Sequence, residues 1–193
     1  MSGEPVIAIL AAGASRRFGG GKLDAMAGGR RLGDFALETA CRFGRPVLVV
    51  APDTPDFALA AADAGKADLL VNPLAGHGLA TSVALAAQRA QIASAGRLLL
   101  LLADMPLITA ASLHELLDRV TDSAPAAVRH ANGRLGIPAC FPAGWFARLQ
   151  ALAGDRGAAE LLNGSEMTRP VDVPLEELRD IDRPEDLEGL SLP

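Results

Sequence analysis

Two cations and a carboxylate stand where phosphate chemistry would use them. Arg17 and Lys22 lie in ILAAGASRRFGGGK, residues 9–22, a stretch holding Gly13, Gly19, Gly20 and Gly21 behind an apolar run. Glycines after a buried strand let backbone approach a ligand, successive N–H groups cradle phosphate oxygens, and flanking Lys and Arg add charge. Taken alone, the stretch reads equally as a flexible surface loop with solvated cations. Counting removes two common phosphate loops. A Walker A motif would need glycine where Arg16 stands and Ser or Thr where Leu23 stands. A dinucleotide fingerprint would need GxGxxG after the strand, but Gly13 is followed by Ala14 and Ser15. Asp104 closes RLLLLLAD, at the carboxyl end of a buried strand, where open parallel sheets bind ligands. A carboxylate there suits Mg²⁺, which takes few protein ligands beside phosphate oxygens, or it braces the following turn.

The elements that must position these groups alternate in length. PVIAILAA, PVLVVAP, ADLLV and RLLLLLAD are apolar without alternation and read as strands buried on both faces. Between them, Thr54 is expected to cap a helix with Pro55 at its first position and Gly65 at its end. Thr109 caps a second helix, with Leu113, Leu116, Leu117 and Val120 on one face. The β-α-β-α order predicts an α/β fold, a mostly parallel sheet with helices on both sides. From Ala124 the pattern changes to two strands joined at Asn132-Gly133, an inserted hairpin. WFARLQAL then reads as a helix with Trp145 as a core anchor, RPVDVP as a strand, and DIDRPEDLEGL as a closing turn and helix. In that last segment Asp182-Arg183-Pro184-Glu185 has the form of a capping box. One domain over residues 1–193 is expected.

Composition narrows the function. Half the residues (50 %) are apolar and 21 % charged, as in ordinary globular proteins. The net charge of −5 argues against a nucleic-acid surface, while the local cations suit a small anion. Cys41 and Cys140 are too few and too distant for a disulfide framework or a CxxC site. Val6–Ala14 has an apolar core of signal-peptide length, but Glu4 before it and arginines after it give the wrong polarity for export. Five consecutive leucines fall far short of the ~20 residues of a membrane helix. A cytoplasmic protein that binds neither membrane nor nucleic acid is expected.

LAAGASRRFGGGK resembles the signature LxxGxSxRMGxxK of the molybdenum cofactor nucleotidyltransferases (the MobA/MocA-like NTP transferases), with Gly13, Ser15, Arg17, Gly19 and Lys22 on its fixed positions and Phe18 for its Met. ADMP resembles the family's GDMP, GLATS its GMATS-type segment, GDRGAAELL its GDxGAR segment, and DIDRPEDL its DIDTPEDL, in the same order. The resemblance implies a Rossmann-like three-layer α/β/α fold of the nucleotide-diphospho-sugar transferase type. It implies that Asp104 and Asp182 hold Mg²⁺ at the nucleotide phosphates, that Arg17 holds the outer phosphates, and that Lys22 neutralises charge growing at the α-phosphate. It places Leu10, Ala11, Ala12, Gly13, Ser15, Arg17, Gly19 and Lys22 on the nucleotide, with Asn72, Gly78 and Ser82 along base and ribose. Asp155 and Arg156 would face the acceptor, although Asp155 equally suits the start of a helix.

The histidines, His77, His114 and His130, have no carboxylate at triad spacing. A phosphate-monoester nucleophile, with its second pKa near ~6, needs no general base at neutral pH. The reading that follows is Mg²⁺-dependent transfer of CMP from CTP to molybdenum cofactor (molybdopterin) with release of pyrophosphate. CTP rests on Ala11-Ala12-Gly13, which resembles cytidylyl rather than guanylyl enzymes of the family. Alternatives are another phosphorylated acceptor, such as a sugar phosphate or phospholactate with CTP or GTP, or a non-catalytic carrier delivering the cofactor to a recipient molybdoenzyme or its chaperone. Ala103, Ile137 and Ala159 depart from the family pattern, the last two in the acceptor half.

Overall fold

The computed structural model describes residues 4–12, 18–43, 46–154 and 157–187. The apolar runs form β1 (Val6–Leu10), β4 (Val47–Ala51), β5 (Asp68–Val71) and β6 (Arg97–Leu102), with the short β2 (Met26–Ala27) and β3 (Arg30–Arg31) paired in a separate ribbon. β7 (Ala126–Arg129), β8 (Leu135–Pro142) and β9 (Arg169–Val171) complete a seven-stranded sheet of order β5-β4-β1-β6-β8-β7-β9. Of these seven, β8 alone runs against the rest. The sheet is thus mostly parallel, and the chain crosses over between β4 and β6 on either side of β1. In open sheets of this kind the ligand crevice lies where the strand order reverses, here beyond the carboxyl ends of β1 and β6.

Helices cover both faces. α1 (Leu32–Cys41), α2 (Asp56–Asp63) and α4 (Ala110–Arg119) pack on Ile7, Ile9, Val49, Leu99 and Leu101, while α3 (Leu79–Ile92), α5 (Phe146–Gln150) and α6 (Ala158–Asn163) pack on the alternate residues of the same strands. Strands covered twice need apolar residues at every position, which is why β1 and β4 read as unbroken runs.

Several expectations are corrected in detail. ADLLV does form β5, but as an edge strand with Asp68 and Val71 exposed. α2 begins at Asp56, and Thr54 does not cap it. The cap comes from Asp24, whose carboxylate accepts from the Asp56 N–H (3.0 Å) and the Phe57 N–H (2.8 Å). Thr109 does cap α4, its hydroxyl oxygen accepting from the Ser112 N–H. The hairpin turns at Asn132-Gly133, with Gly133 at φ 78°, and its two strands join the main sheet. Trp145 is a core anchor, 4 % exposed, with its indole N–H donating to the Ser123 carbonyl. The described part of the closing segment forms a 3-10 turn, Pro184–Leu187, and the carboxylate folded back on its backbone is that of Asp186, which accepts from the N–H groups of Asp182 and Arg183. Among the described residues no helix is long and apolar enough to cross a membrane.

Candidate active site

The parallel ladder carries β1 one residue beyond its end, where the Ala11 N–H donates to the Val50 carbonyl. Ala11 is buried and Ala12 half-buried. Gly13, Ser15 and Arg17, like Asp155 and Arg156, lie outside the described residues. Downstream, Gly19, Gly20 and Gly21 have φ of 86°, 100° and 61°. A side chain in such backbone costs on the order of 1–3 kcal/mol, so the glycines are what allow this turn. It delivers Lys22, which opens the 3-10 turn Lys22–Asp24 and is 5 % exposed.

A lysine so enclosed needs a counter-charge. Its ammonium donates to Asp104 Oδ2 at 2.6 Å and lies 3.8 Å from Asp182 Oδ1. Three residues from distant parts of the sequence therefore meet at the carboxyl edge of β1 and β6. Two backbone bonds fix Asp104: the Ala103 N–H donates to the Leu10 carbonyl, and the Ile181 N–H donates to the Asp104 carbonyl at 3.0 Å. Ile181 is fully buried, so in this extended segment Asp180 and Asp182 both turn to the opposite side.

Asp180 is the acidic residue that sequence reading passed over. Its carboxyl is pushed up to about 6 by loss of water around it, then by the negative charges of Asp104 and Asp182, with Lys22 opposing. The signal was present in Asp-Ile-Asp, two acids alternating about one apolar residue. Three carboxylates facing one ammonium leave negative charge in excess, and their hard oxygen donors fit Mg²⁺ or Mn²⁺. Among the described residues no three acidic, His or Cys side chains are grouped closely enough to hold an ion alone. A cation here would draw its remaining ligands from water and phosphate, the usual manner of Mg²⁺.

Beside Lys22 a cleft of about 500 Å³ opens between the loops that follow β1 and β4. Ala11, Gly20 and Gly21 line one wall and Pro52–Asp56 the other, with Asp24 joining them through the cap on α2. Asn72 and Ser82 do not face this cleft with free polar groups. They are 3 % and 0 % exposed, and the Asn72 amide donates to the hydroxyls of Thr81 and Ser82 while its oxygen accepts from the Leu74 N–H. Their polar atoms brace the turn before α3. Gly78, at φ 108°, ends that turn and begins α3. The methyl of Ala103 is absorbed by the core, Ile137 is buried on the α3 side, and Ala159 lies half-buried on α6.

Comparison with known proteins agrees with this fold. The MobA-like NTP transferase domain family matches residues 7–171. A solved homologue of Mycobacterium tuberculosis Rv0371c, from Mycobacterium sp. strain JC1, is 26 % identical with a TM-score of 0.75, over 97 % of this chain and 95 % of that one. Rv0371c of M. tuberculosis H37Rv, solved as a complex with manganese, is 22 % identical with a TM-score of 0.68, over 90 % and 89 % of the two chains. Molybdopterin-guanine dinucleotide biosynthesis protein A of Archaeoglobus fulgidus is 21 % identical with a TM-score of 0.66, over 95 % of each. No curated protein sequence matches the chain. With a family match over most of its length and the Lys22–Asp104–Asp182 cluster at the crevice, the chain belongs to the MobA-like NTP transferase domain family and is a nucleotidyltransferase.

Proposed function

We propose that the protein transfers CMP from CTP to a molybdopterin-type cofactor, with a divalent metal held by Asp104 and Asp182. The observation that carries this reading is the buried Lys22 ammonium between those two carboxylates, at the mouth of a nucleotide-sized cleft. A phosphate oxygen of the acceptor attacks the α-phosphorus of CTP. The bond from that phosphorus to the bridging oxygen breaks, and pyrophosphate leaves with the electron pair. Lys22 and Arg17 supply fixed positive charge where negative charge grows, the main resource in such transfers. When bound, the metal would add charge neutralisation and align the phosphates. The manganese complex of Rv0371c supports a metal in this fold.

On this reading the base and ribose occupy the cleft between Ala11 and Pro52–Asp56. Leu10, Gly13, Ser15 and Gly19 shape the phosphate loop, the turn built by Asn72, Gly78 and Ser82 borders base and ribose, and Asp155 and Arg156 meet the acceptor. CTP is supported by the resemblance of Ala11-Ala12-Gly13 to the cytidylyl enzymes of the family. The test is pyrophosphate release with Mg²⁺, comparing CTP with GTP, with and without molybdenum cofactor. Release only with CTP and cofactor together is expected. Preference for GTP would overturn the cytidylyl assignment, and release with a sugar phosphate but not the cofactor would overturn the acceptor.

A further inference from the structure

Glu177 is a buried carboxylate, 9 % exposed, that the reaction itself does not call upon. One oxygen, Oε2, accepts from the Thr109 N–H (3.0 Å), the Thr109 hydroxyl (3.0 Å) and the Ser112 hydroxyl (2.7 Å). All three donors belong to the first turn of α4, where the helix dipole favours a negative charge. The segment carrying Glu177 is otherwise a 3-10 turn, Leu175–Leu178, with little helical structure of its own to hold it.

The bridge sits symmetrically about the metal-binding carboxylates. α4 starts directly after the loop that begins at Asp104, and Thr109 is five positions beyond that residue. Glu177 is five positions before Asp182. The two segments also meet inside this span, at the bond from the Ile181 N–H to the Asp104 carbonyl. With the outer contact cut, the spacing of Asp104 from Asp182 loses one of its ties and leans more on that backbone bond, on the Lys22 ammonium between the two carboxylates and on the burial of Leu178 and Ile181. Second-layer partners of this kind orient metal ligands without touching the metal.

We infer that Glu177 is a positioning residue, which sets the distance between Asp104 and Asp182 by tying their two segments together at the start of α4. The inference rests on the reading that those two aspartates hold a divalent metal. The test is Mn²⁺ binding, read from loss of the free-ion EPR signal with α,β-methylene-CTP present, against a blank of the analogue alone. Glu177→Ala is expected to weaken Mn²⁺ binding about 10- to 100-fold, the usual range for loss of an outer partner. Glu177→Gln keeps an oxygen for the same three donors and is expected to restore most of the affinity. Ser112→Ala removes only the shortest bond and is expected to give a smaller loss in a fully folded protein. Leu149→Ala, a core truncation on the opposite face, controls for general destabilisation and is expected to leave affinity unchanged.

Wild-type affinity in Ser112→Ala, or in Glu177→Ala where it folds, overturns the inference. An equal loss in Leu149→Ala does the same. Failure of the wild-type protein to bind Mn²⁺ overturns instead the metal reading beneath it.

Discussion

Replacing Asp24 by Ala separates a long-range cap from a local one. Its carboxylate accepts two backbone N–H groups at the start of α2, at 3.0 Å from Asp56 and 2.8 Å from Phe57, across more than thirty positions of sequence. Loss of an N-cap costs about 0.5–2 kcal/mol, and loss of an anion at a helix N-terminus about 0.3–1 kcal/mol. The Asp56 bond is exposed, so water replaces part of what is lost there. A net cost of about 1–2 kcal/mol follows. At about 2–4 °C per kcal/mol for a chain of this size, Tm falls by about 2–8 °C. Asp24→Asn keeps an acceptor without the charge and should lose only part of this. Thr54→Ala, which removes the hydroxyl that local reading would choose as the cap, should leave Tm unchanged. Thermal melts followed by circular dichroism, three variants against wild type, decide the matter. If Thr54→Ala is the damaging change and Asp24→Ala melts like wild type, the assignment of the cap is wrong.

Removing the Lys22 charge with Lys22→Met should lower kcat by about 10²–10³, the cost of deleting one fixed charge-stabilising group; steady-state pyrophosphate release measures it. Asp180→Asn tests the charge excess. A carboxyl that titrates at about 6 when folded and near 3.8 otherwise disfavours folding above that range, and the penalty vanishes when both states are protonated. The variant should therefore raise Tm at neutral pH and lose that advantage as the pH falls below about 4; an equal gain at both pH values would contradict the linkage. Cys140, fully enclosed and with its thiol pushed up to about 12 by burial, should resist alkylation in the native protein while half-buried Cys41 reacts, with both labelled in denaturant. Mass spectrometry counts the adducts, and native labelling of Cys140 would show that the β8 region opens.

The strands of the sheet were legible because strands covered on both faces must be apolar throughout, and β1, β4 and β6 are. ADLLV was misread as equally buried because a short apolar run carries no mark of its place at the edge. Lys22 and Asp104 were each recognisable from their surroundings, but their 2.6 Å contact spans 82 positions and no spacing rule reaches so far. Asp24 and Glu177 escaped for a related reason. Capping patterns are sought within four residues of a helix start, and these two acids come from elsewhere in the chain. The bond between Asn72 and Ser82, ten positions apart, is likewise invisible to residue type. Residue type indicates what chemistry is available, and only packing shows whether it is already satisfied.

The reversed direction of β8 has a consequence for how this enzyme class can diversify. Because β7 runs with β1 and β8 returns against it, the turn at His130–Arg134 lies at the same edge of the sheet as Lys22 and Asp104. Both strands enter and leave the turn at that edge, so residues can be added there without shifting the pairing of β8 with β6. Lengthening a loop is thermodynamically cheap, about 0.6 kcal/mol for each doubling. The Lys22 part of that edge is constrained by the glycine turn and the Asp24 cap, whereas residues 131–134 at the hairpin tip are exposed. A change in the length of that one turn would alter what stands at this edge while leaving the sheet in register.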